Sequence, residues 1–157
     1  MYIAVALVIL LVDQILKYIV RLNFDLGETI PVIEDVFHLT YVQNTGAAFG
    51  ILAEHRLFFI VFSALVIVAM PVFLRRLLDI KGRNRLFSLC LGLILGGAAG
   101  NLIDRIFFGY VIDYLDFRIW PVFNLADSAI VVGSLLLFFV VWKVGDIDEG
   151  KQEIQGK

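Results

Sequence analysis

The sequence predicts an all-α membrane protein with four transmembrane helices and a small strand-bearing region on the outer membrane surface. The first observation is composition: of 157 residues, 61% are hydrophobic and 18% are charged, whereas soluble domains contain about 45–50% apolar and about 25% charged residues. The second is strand-like alternation in the first long connection. The third is four apolar stretches, each close to the roughly 20 residues that cross a bilayer: residues 2–20, 57–74, 86–103 and 125–142.

Each apolar stretch should form an α-helix, because a backbone in lipid has to satisfy its own hydrogen bonds. The first stretch could alternatively be a cleaved signal peptide. However, no basic residue precedes the apolar run, Asp13 interrupts it, and no A-x-A cleavage site follows. These features favour a retained helix. We therefore expect one four-helix transmembrane unit over residues 1–143, followed by a polar cytoplasmic tail over residues 144–157.

Lysine and arginine residues predict the orientation in the membrane. The second connection, "RRLLDIKGRNR", contains five basic residues and one acidic residue, and the tail from Lys143 adds three more basic residues. The first and third connections contain two basic residues each. Because basic loops stay on the cytoplasmic side, the second connection and both termini should be cytoplasmic, and the other two connections should lie outside.

The first connection predicts a β region at about residues 27–50. In "VFHLTYV", Phe37, Leu39 and Tyr41 alternate with polar residues, which is the period of a half-buried strand. The following "QNTGAAFG" suits a tight turn or a close approach of the backbone. The third apolar stretch contains two overlapping G-x-x-x-G steps, which favour close packing of a neighbouring helix: Gly92, Gly96 and Gly100.

The composition also excludes several classes of protein. The formal net charge of −2 gives no electrostatic case for a nucleic-acid partner. Cys90 is the single cysteine, so the chain has no internal disulfide and no multi-cysteine metal site. Because Cys90 lies in the middle of the third apolar stretch, we expect it to be a small core residue.

Ionisable residues of three predicted helices converge at one depth, near the outer surface of the membrane. Ionisable groups inside a membrane indicate a functional site. The set comprises Asp13 and Lys17 in the outer half of the first helix, Asp104 and Arg105 at the outer end of the third, Asp113 in the third connection, and Asp127 near the outer start of the fourth.

Several of these residues also have a purely structural interpretation. Asp13 and Lys17 have the i, i+4 spacing of a helical ion pair. Asp104 beside Arg105 could simply anchor the third helix at the membrane interface.

Asn124 and Asp127 have a structural interpretation as well. They stand at the N-cap and N3 positions if the fourth helix begins near Leu125. A carboxylate at N3 stabilises the helix N-terminus, so this pair could be a helix cap, a functional pair or both.

Periodicity separates the two aspartates of "VIDYLDFRI". In an extended chain Asp113 shares a face with apolar residues, whereas Asp116 shares the other face with Tyr114 and Arg118. A lone carboxylate is costly to bury on an apolar face, so Asp113 is the better candidate for a functional role. Asp116 is expected to be a solvated partner in an ion pair. If the segment is not a strand, Asp113 is an ordinary solvated loop residue.

Asp113 and Asp127 could act together as an acid–base pair. If they face each other across a water molecule, repulsion raises the pKa of one of them and the pair holds one proton. The ionised member can take a proton from water while the protonated member polarises a carbonyl, as in aspartic proteases. The sequence contains no H-E-x-x-H motif and no recognisable serine motif that would work with a histidine base, so competing hydrolytic chemistries are less well supported.

Two non-proteolytic classes remain as alternatives. In an ion-coupled transporter the acids would form a relay across the membrane, although here they cluster at one face and the second apolar stretch contains none. A non-catalytic assembly partner would pack through the glycine-rich third helix and would tolerate amides in place of Asp113 and Asp127.

Five short motifs, taken in order, resemble those of the bacterial lipoprotein signal peptidases, also called type II signal peptidases. Together they extend from the first to the fourth helix, so the resemblance covers most of the chain. One departure is Tyr114, where the family usually has phenylalanine. The motifs are "DQILK" (13–17), "NTGAAFG" (44–50), "GGAAGNLIDR" (96–105), "VIDY" (111–114) and "FNLADS" (123–128).

The resemblance implies an intramembrane aspartic endopeptidase with four helices and an extracytoplasmic β-cradle. Such enzymes act in the bacterial cytoplasmic (inner) membrane, in contact with membrane lipids. They remove signal peptides from prolipoproteins by cutting just before the diacylglyceryl-modified cysteine. They need no metal or organic cofactor, and the cyclic peptide globomycin inhibits them.

The same resemblance implies the roles of individual residues. By motif, the catalytic pair falls on Asp113 and Asp127, and Asp13 and Lys17 form a structural polar pair. A further set matches positions that line or support the site in the family: Asn44, Gly46, Asn101, Asp104, Arg105, Asn124 and Ala126.

Overall fold

The computed structural model describes the backbone of residues 1–46, 55–77 and 85–155, and the side chains of residues 1–46, 55–72 and 85–142. Within the described backbone, four helices and three strands follow one another. They are α1 (Tyr2–Asn23), β1 (Thr29–Ile33), β2 (Phe37–Asn44), α2 (Arg56–Leu77), α3 (Arg85–Phe107), β3 (Val111–Asp116) and α4 (Leu125–Gln155).

The four helices form a membrane bundle with α3 at its centre. By length and apolar composition, α1, α3 and the Leu125–Trp142 part of α4 can each cross a membrane. In α2 the apolar part with described side chains, Arg56–Val72, is shorter. Because α3 packs against α1, α2 and α4, it is the most buried of the helices. The predicted fold class, four transmembrane helices with a small β region, is confirmed.

Glycines allow α1 to lie directly against α3, as the G-x-x-x-G steps predicted. A Cβ atom added to Gly92 would lie 2.5 Å from the Val5 Cβ, and one added to Gly96 would lie 2.7 Å from the Ala6 carbonyl oxygen. Such distances are shorter than van der Waals contact, so larger residues would push the two helices apart. Cys90 is fully buried in the apolar core of the bundle, as expected.

The three strands form one antiparallel sheet in the order β1–β2–β3. Strands β1 and β2 come from the first connection, whereas β3 comes from the third. The pairing of β2 with β3 places Val42 opposite Asp113 and Asn44 opposite Val111. The sheet therefore joins the two connections that were predicted to lie on the same side of the membrane.

Several helices extend beyond the apolar stretches that predicted them. Helix α3 continues to Phe107, where the Phe108 N–H still donates to the Asp104 carbonyl at 2.8 Å. Gly109, with φ of +85°, then ends the helix in the left-handed conformation that glycine favours. Polar residues continue these helices because hydrogen bonding along the backbone does not stop where the apolar stretch ends.

The predicted stretch 125–142 coincides with the part of α4 that is long and apolar enough to cross a membrane, but the helical backbone does not end there. Helix α4 continues to Gln155, so most of the predicted polar tail (144–157) has a helical backbone. The lysine, glutamate and glutamine residues of the tail form helices readily, its glycines do so less, and it contains no proline that would interrupt the helix. The cytoplasmic connection predicted from its basic residues falls largely on residues 78–84, outside the described residues.

Candidate active site

A buried polar cluster lies where α1, α3, β3 and the start of α4 meet. Solvent exposure is at most 1% for five of its side chains: Asp13, Lys17, Asp104, Asp113 and Asn124. A buried charge is costly unless it is paired or hydrogen-bonded. The partners of each side chain therefore indicate its role.

Lys17 lies between two carboxylates in the part of the cluster nearest α1. Its Nζ is 2.8 Å from Asp13 Oδ2 and 2.9 Å from Asp104 Oδ2. Gln14 donates from its side-chain amide to Asp104 Oδ1 at 3.0 Å. The predicted pair of Asp13 and Lys17 is confirmed. The interpretation of Asp104 as an interfacial anchor is wrong, because its carboxylate is fully buried and pairs with a lysine on another helix.

Asp13 and Asp104 each also accept a hydrogen bond from the backbone N–H of a residue that directly precedes a predicted catalytic aspartate. Asp13 Oδ1 accepts from the Ala126 N–H at 3.0 Å, and Asp104 Oδ2 accepts from the Ile112 N–H at 3.1 Å. Ala126 directly precedes Asp127, and Ile112 directly precedes Asp113. The lysine-centred group therefore attaches the start of α4 and strand β3 to the helix bundle.

Close packing of α3 on α4 makes this arrangement possible. A Cβ atom added to Gly97 would contact the Ala126 carbonyl oxygen, and one added to Gly100 would contact Asp13 Oδ2. Ala126 has no solvent exposure. The small residues of "GGAAGNLIDR" thus leave space for the backbone that precedes Asp127.

Side-chain amides hold the two predicted catalytic carboxylates. Asp113 accepts at Oδ2 from Asn44 at 2.9 Å and at Oδ1 from Asn124 at 2.7 Å. Asp127 accepts at Oδ1 from Asn101 at 2.7 Å. Asn124 Nδ2 also donates to Asn101 Oδ1 at 3.2 Å. The two asparagines therefore form a hydrogen-bonded bridge from one aspartate to the other.

Asn124 and Asp127 form the predicted helix cap as well as part of this bridge. The Asp127 N–H donates to Asn124 Oδ1 at 2.8 Å, and the Asn124 N–H lies 3.4 Å from Asp127 Oδ2. This is the reciprocal pattern of a capping box. The structural and functional interpretations of these residues are thus compatible, because each residue uses different atoms for the two tasks.

Tyr114 contributes to the same helix end. Its hydroxyl accepts a hydrogen bond from the Leu125 N–H at 3.3 Å, which is one of the N–H groups without a partner inside the helix. Burial raises the pKa of Tyr114. The departure from the family pattern at this position therefore adds a hydrogen-bond acceptor for α4.

A cavity of about 700 Å³ opens beside the two aspartates. Its polar end is lined by Asp113, Asp127, Asn44, Asn101 and Arg105. The remainder lies between α2, α3 and α4 and is mostly apolar. That part includes Phe58, Phe62, Val66, Met70, Ile94, Ala98 and Ile130.

Arg105 lies at the polar end and contacts the β region. Its guanidinium lies 4.7 Å from the centre of the Phe59 ring, and one of its nitrogens is 3.4 Å from the Gly46 carbonyl oxygen. Gly46 is buried and lines the cavity, and its N–H donates to Asn44 Oδ1 at 3.0 Å. Both residues thus border the polar end of the cavity. The rest of "NTGAAFG", residues 47–50, lies outside the described residues.

The pKa of Asp113 is raised from its ordinary value of 3.8 to about 7. Burial is the largest cause, and the negative charge of Asp127 is the second; the hydrogen bonds from Asn44 and Asn124 act in the opposite direction. A carboxyl group with this pKa exchanges its proton near neutral pH, as acid–base catalysis requires.

The prediction for Asp116 is correct about the ion pair and wrong about solvation. Asp116 Oδ2 is 3.1 Å from Arg118, but the aspartate is only 5% exposed because Thr40 on the neighbouring strand covers it and donates a hydrogen bond at 2.8 Å. Burial acts to raise the pKa of Asp116, but hydrogen bonds from the Arg118 N–H, Thr40 and the Arg118 side chain keep it below the ordinary value.

The position of Asp113 also differs from its sequence-based description. The face of β3 that carries Asp113 was expected to be apolar, yet this side chain points at amides and at the polar end of the cavity. The asparagines that donate to Asp113 lie outside β3, so periodicity within this strand could not reveal them.

The sequence analysis did not identify Gln14 or the aromatic residues that line the cavity. Gln14 follows Asp13 directly, and a polar side chain inside an apolar span is a signal that could have been used. Trp120 and the phenylalanines of α2 line the cavity, but no local pattern distinguishes them from lipid-facing aromatics. Among the residues that the structure describes, no cluster of histidine, cysteine, aspartate or glutamate is suited to hold a metal ion.

Fold and site together define a membrane enzyme with a buried pair of carboxylates beside an apolar cavity. The family model described as signal peptidase (SPase) II matches residues 5–143. Lipoprotein signal peptidases are among the relatives: that of Halothermothrix orenii is 54% identical, with 90% of this chain and 97% of the relative covered. That of Bacillus subtilis is 41% identical, with 98% and 97% covered.

A solved structure described as a bacterial membrane enzyme superposes with a TM-score of 0.81 and 32% identity, over 90% of this chain and 87% of that one. The chain belongs to the signal peptidase II family, and it is a membrane protease. This membership replaces the transporter and assembly-partner alternatives.

Proposed function

We propose that the protein removes signal peptides from prolipoproteins, cutting just before a diacylglyceryl-modified cysteine, and that Asp113 and Asp127 are its catalytic residues. The supporting observation is that both carboxylates line one cavity and are bridged by Asn124 and Asn101. Among the described residues, neither forms an ion pair with a lysine or arginine. A carboxylate pair without such compensation can hold and release one proton.

The two aspartates activate water and the scissile carbonyl together. One carboxylate removes a proton from water as the water oxygen attacks the carbonyl carbon. The protonated partner gives its proton to the carbonyl oxygen, which produces a neutral tetrahedral diol. The diol then collapses: the C–N bond breaks, one hydroxyl returns its proton to a carboxylate, and the leaving nitrogen takes a proton from the other carboxyl group.

The apolar part of the cavity fits the proposed substrate. A signal peptide is an apolar helix and the diacylglyceryl group is a lipid, so both can enter sideways from the bilayer between the helices. Phe58, Phe62 and Met70 would contact them there. We further propose that the second connection and both termini are cytoplasmic, which places the aspartates near the outer face of the membrane, where the cleavage site of an inserted signal peptide lies.

A gel-shift cleavage assay tests this function. Purified protein in detergent or lipid is mixed with a diacylglyceryl-modified prolipoprotein, and the wild type is compared with Asp113→Asn, Asp127→Asn and Asp116→Asn. We expect the first two substitutions to reduce the cleavage rate about 10³-fold or more, because each removes one half of the proton transfer.

Asp116→Asn is the matched control, since Asp116 lies on the same strand but pairs with Arg118 outside the cavity. It should cleave at a rate close to that of the wild type. Absence of cleavage by the wild type would contradict the substrate, whereas normal cleavage by either Asp113→Asn or Asp127→Asn would contradict the assignment of the catalytic pair.

A further inference from the structure

We propose that Lys17 is a positioning residue that acts through Asn101 to make Asp127 the ionised member of the pair and Asp113 the protonated one. This inference rests on the proposed function, because it assigns the starting protonation of the two aspartates. Lys17 itself does not line the cavity among the described residues, so it acts on the reaction only through its neighbours.

The orientation of the Asn101 amide follows from the chemistry of lysine. An ammonium group donates hydrogen bonds and cannot accept them. Lys17 Nζ lies 2.9 Å from the Asn101 side chain, so the amide oxygen has to face the lysine. The amide nitrogen consequently faces Asp127, to which it donates at 2.7 Å. The Asn124 amide donates to the same Asn101 oxygen at 3.2 Å and supports this orientation, while Lys17 adds the positive charge that polarises the amide.

The two aspartates therefore stand in different electrostatic surroundings. Asp127 accepts a hydrogen bond from an amide that is itself polarised by a cation, and it occupies the N3 position of α4, where a negative charge is favoured. Asp113 lies on a strand and accepts from Asn44 and Asn124. Asp113 lies within β3 and does not occupy a helix N-terminus, so the single proton is held more favourably there.

The other charged and titratable groups around the pair do not remove this asymmetry. Lys17 is balanced by two carboxylates and attracts negative charge at both aspartates, but only Asp127 is joined to it through a single amide, and Arg105 interacts with both members of the pair. In the described residues these groups come from α1, α3 and β3: Asp13, Lys17, Asp104, Arg105 and Tyr114.

The assignment gives each proton in the reaction a definite route. Ionised Asp127 takes the proton of the attacking water, and protonated Asp113 delivers its proton to the carbonyl oxygen. After this step Asp127 is protonated and Asp113 is ionised. Collapse of the diol returns a proton to Asp113, and Asp127 protonates the leaving nitrogen, which restores the starting state.

Infrared titration of the carboxyl groups tests the assignment without any substrate. The Asp113→Asn protein retains only Asp127 of the pair, and the Asp127→Asn protein retains only Asp113. The double variant supplies the background spectrum of all other carboxyl groups. We expect the protonated-carboxyl band of Asp127 to disappear at lower pH than that of Asp113. The opposite order would overturn the proposal.

The role of Lys17 is tested by adding Lys17→Met to the Asp113→Asn protein. The midpoint of the Asp127 band should then move to higher pH by about one unit. Arg21→Met is the matched control, because it removes a positive charge from the same helix at an exposed residue that stacks on Phe108, away from the cavity. It should leave the midpoint unchanged. An unchanged midpoint in Lys17→Met would show that the lysine has only a structural role.

Asp13→Asn keeps the proposal testable if Lys17→Met does not fold. This substitution removes a negative charge beside Lys17 and retains an oxygen that can accept from the Ala126 N–H. The field of Lys17 at Asp127 becomes stronger, so the midpoint should move to lower pH. A movement to higher pH would contradict the inference. Because these titrations need no cleavage, their failure is distinct from failure of the proposed function, which the prolipoprotein assay reports separately.

Discussion

The lysine-centred group and the aspartate pair are neighbouring regions with opposite electrostatic designs. Asp13 and Asp104 are each within 3 Å of the Lys17 ammonium group, so their charges are compensated. Asp113 and Asp127 are held by asparagine side chains and line a cavity. The comparison shows that buried carboxylates at one depth of the membrane serve two purposes: a compensated carboxylate holds structure, and one bonded to neutral amides remains available for proton transfer.

Of the substitutions considered, replacement of Asp104 in the lysine-centred group should lower the free energy of unfolding most. Asp104→Leu leaves Lys17 with one carboxylate and the Ile112 N–H without its acceptor. Loss of one partner from a buried ion pair costs about 3–5 kcal/mol. Thermal unfolding of the purified protein in detergent, followed by tryptophan fluorescence, measures the change.

Two comparisons sharpen this prediction. Asp104→Asn keeps an acceptor oxygen and should lose less stability than the leucine variant. Leu89→Ala, at an exposed residue of the same helix, should change the unfolding midpoint less than either Asp104 variant. Equal midpoints for Asp104→Leu and Leu89→Ala would mean that Asp104 does not hold the fold together.

The aspartate pair should make the free energy of unfolding depend on pH. Because the pKa of Asp113 is raised from 3.8 to about 7, the folded protein retains a proton that the unfolded chain releases. This stabilising contribution is fully present below about pH 3.8 and is lost as the pH rises through about 7. The loss is about 1.4 kcal/mol for each unit by which the pKa is raised.

Unfolding midpoints measured from pH 4 to pH 8 for wild type and Asp113→Asn isolate this contribution. The difference between the two proteins should grow in favour of the asparagine variant as the pH rises. Asp116→Asn is a useful contrast, because the pKa of Asp116 is lowered and its contribution is lost as the pH falls. A pH-independent difference between wild type and Asp113→Asn would contradict the raised pKa.

The smallest effect on stability is expected at the ion pair between Asp116, at the end of β3, and Arg118. The Arg118 side chain is 49% exposed and lies 3.1 Å from Asp116, and the buried Asp116 keeps its hydrogen bonds from Thr40 and the Arg118 N–H when that side chain is removed. The loss should therefore resemble that of a surface pair, about 1 kcal/mol or less. Arg118→Ala should therefore lower the unfolding midpoint only slightly and leave prolipoprotein cleavage unchanged. A loss of cleavage in this variant would show that the strand end influences the site, and the contrast between paired and unpaired carboxylates would then need revision.

Local patterns predicted a large part of the candidate site. The i, i+4 spacing of Asp13 and Lys17 and the capping positions of Asn124 and Asp127 were correct, because both depend on contacts within one helix. The solvation of Asp116 was predicted incorrectly, since the cover comes from Thr40 on another strand. Asp104 was misinterpreted for the same reason: its partner lies on α1, far away in the sequence.

The sequence by itself determined that this chain is a membrane protein with four apolar helices, and its five motifs indicated the family. These properties depend on composition, order and short-range spacing, which folding does not alter. Only the tertiary structure decided which carboxylates are compensated and which are not. That distinction depends on Lys17 reaching Asp104, on asparagines from three segments reaching the aspartate pair, and on cavity-lining aromatics of α2. Such contacts join segments distant in the sequence, and the strength of an electrostatic interaction depends on distance and burial in the folded protein.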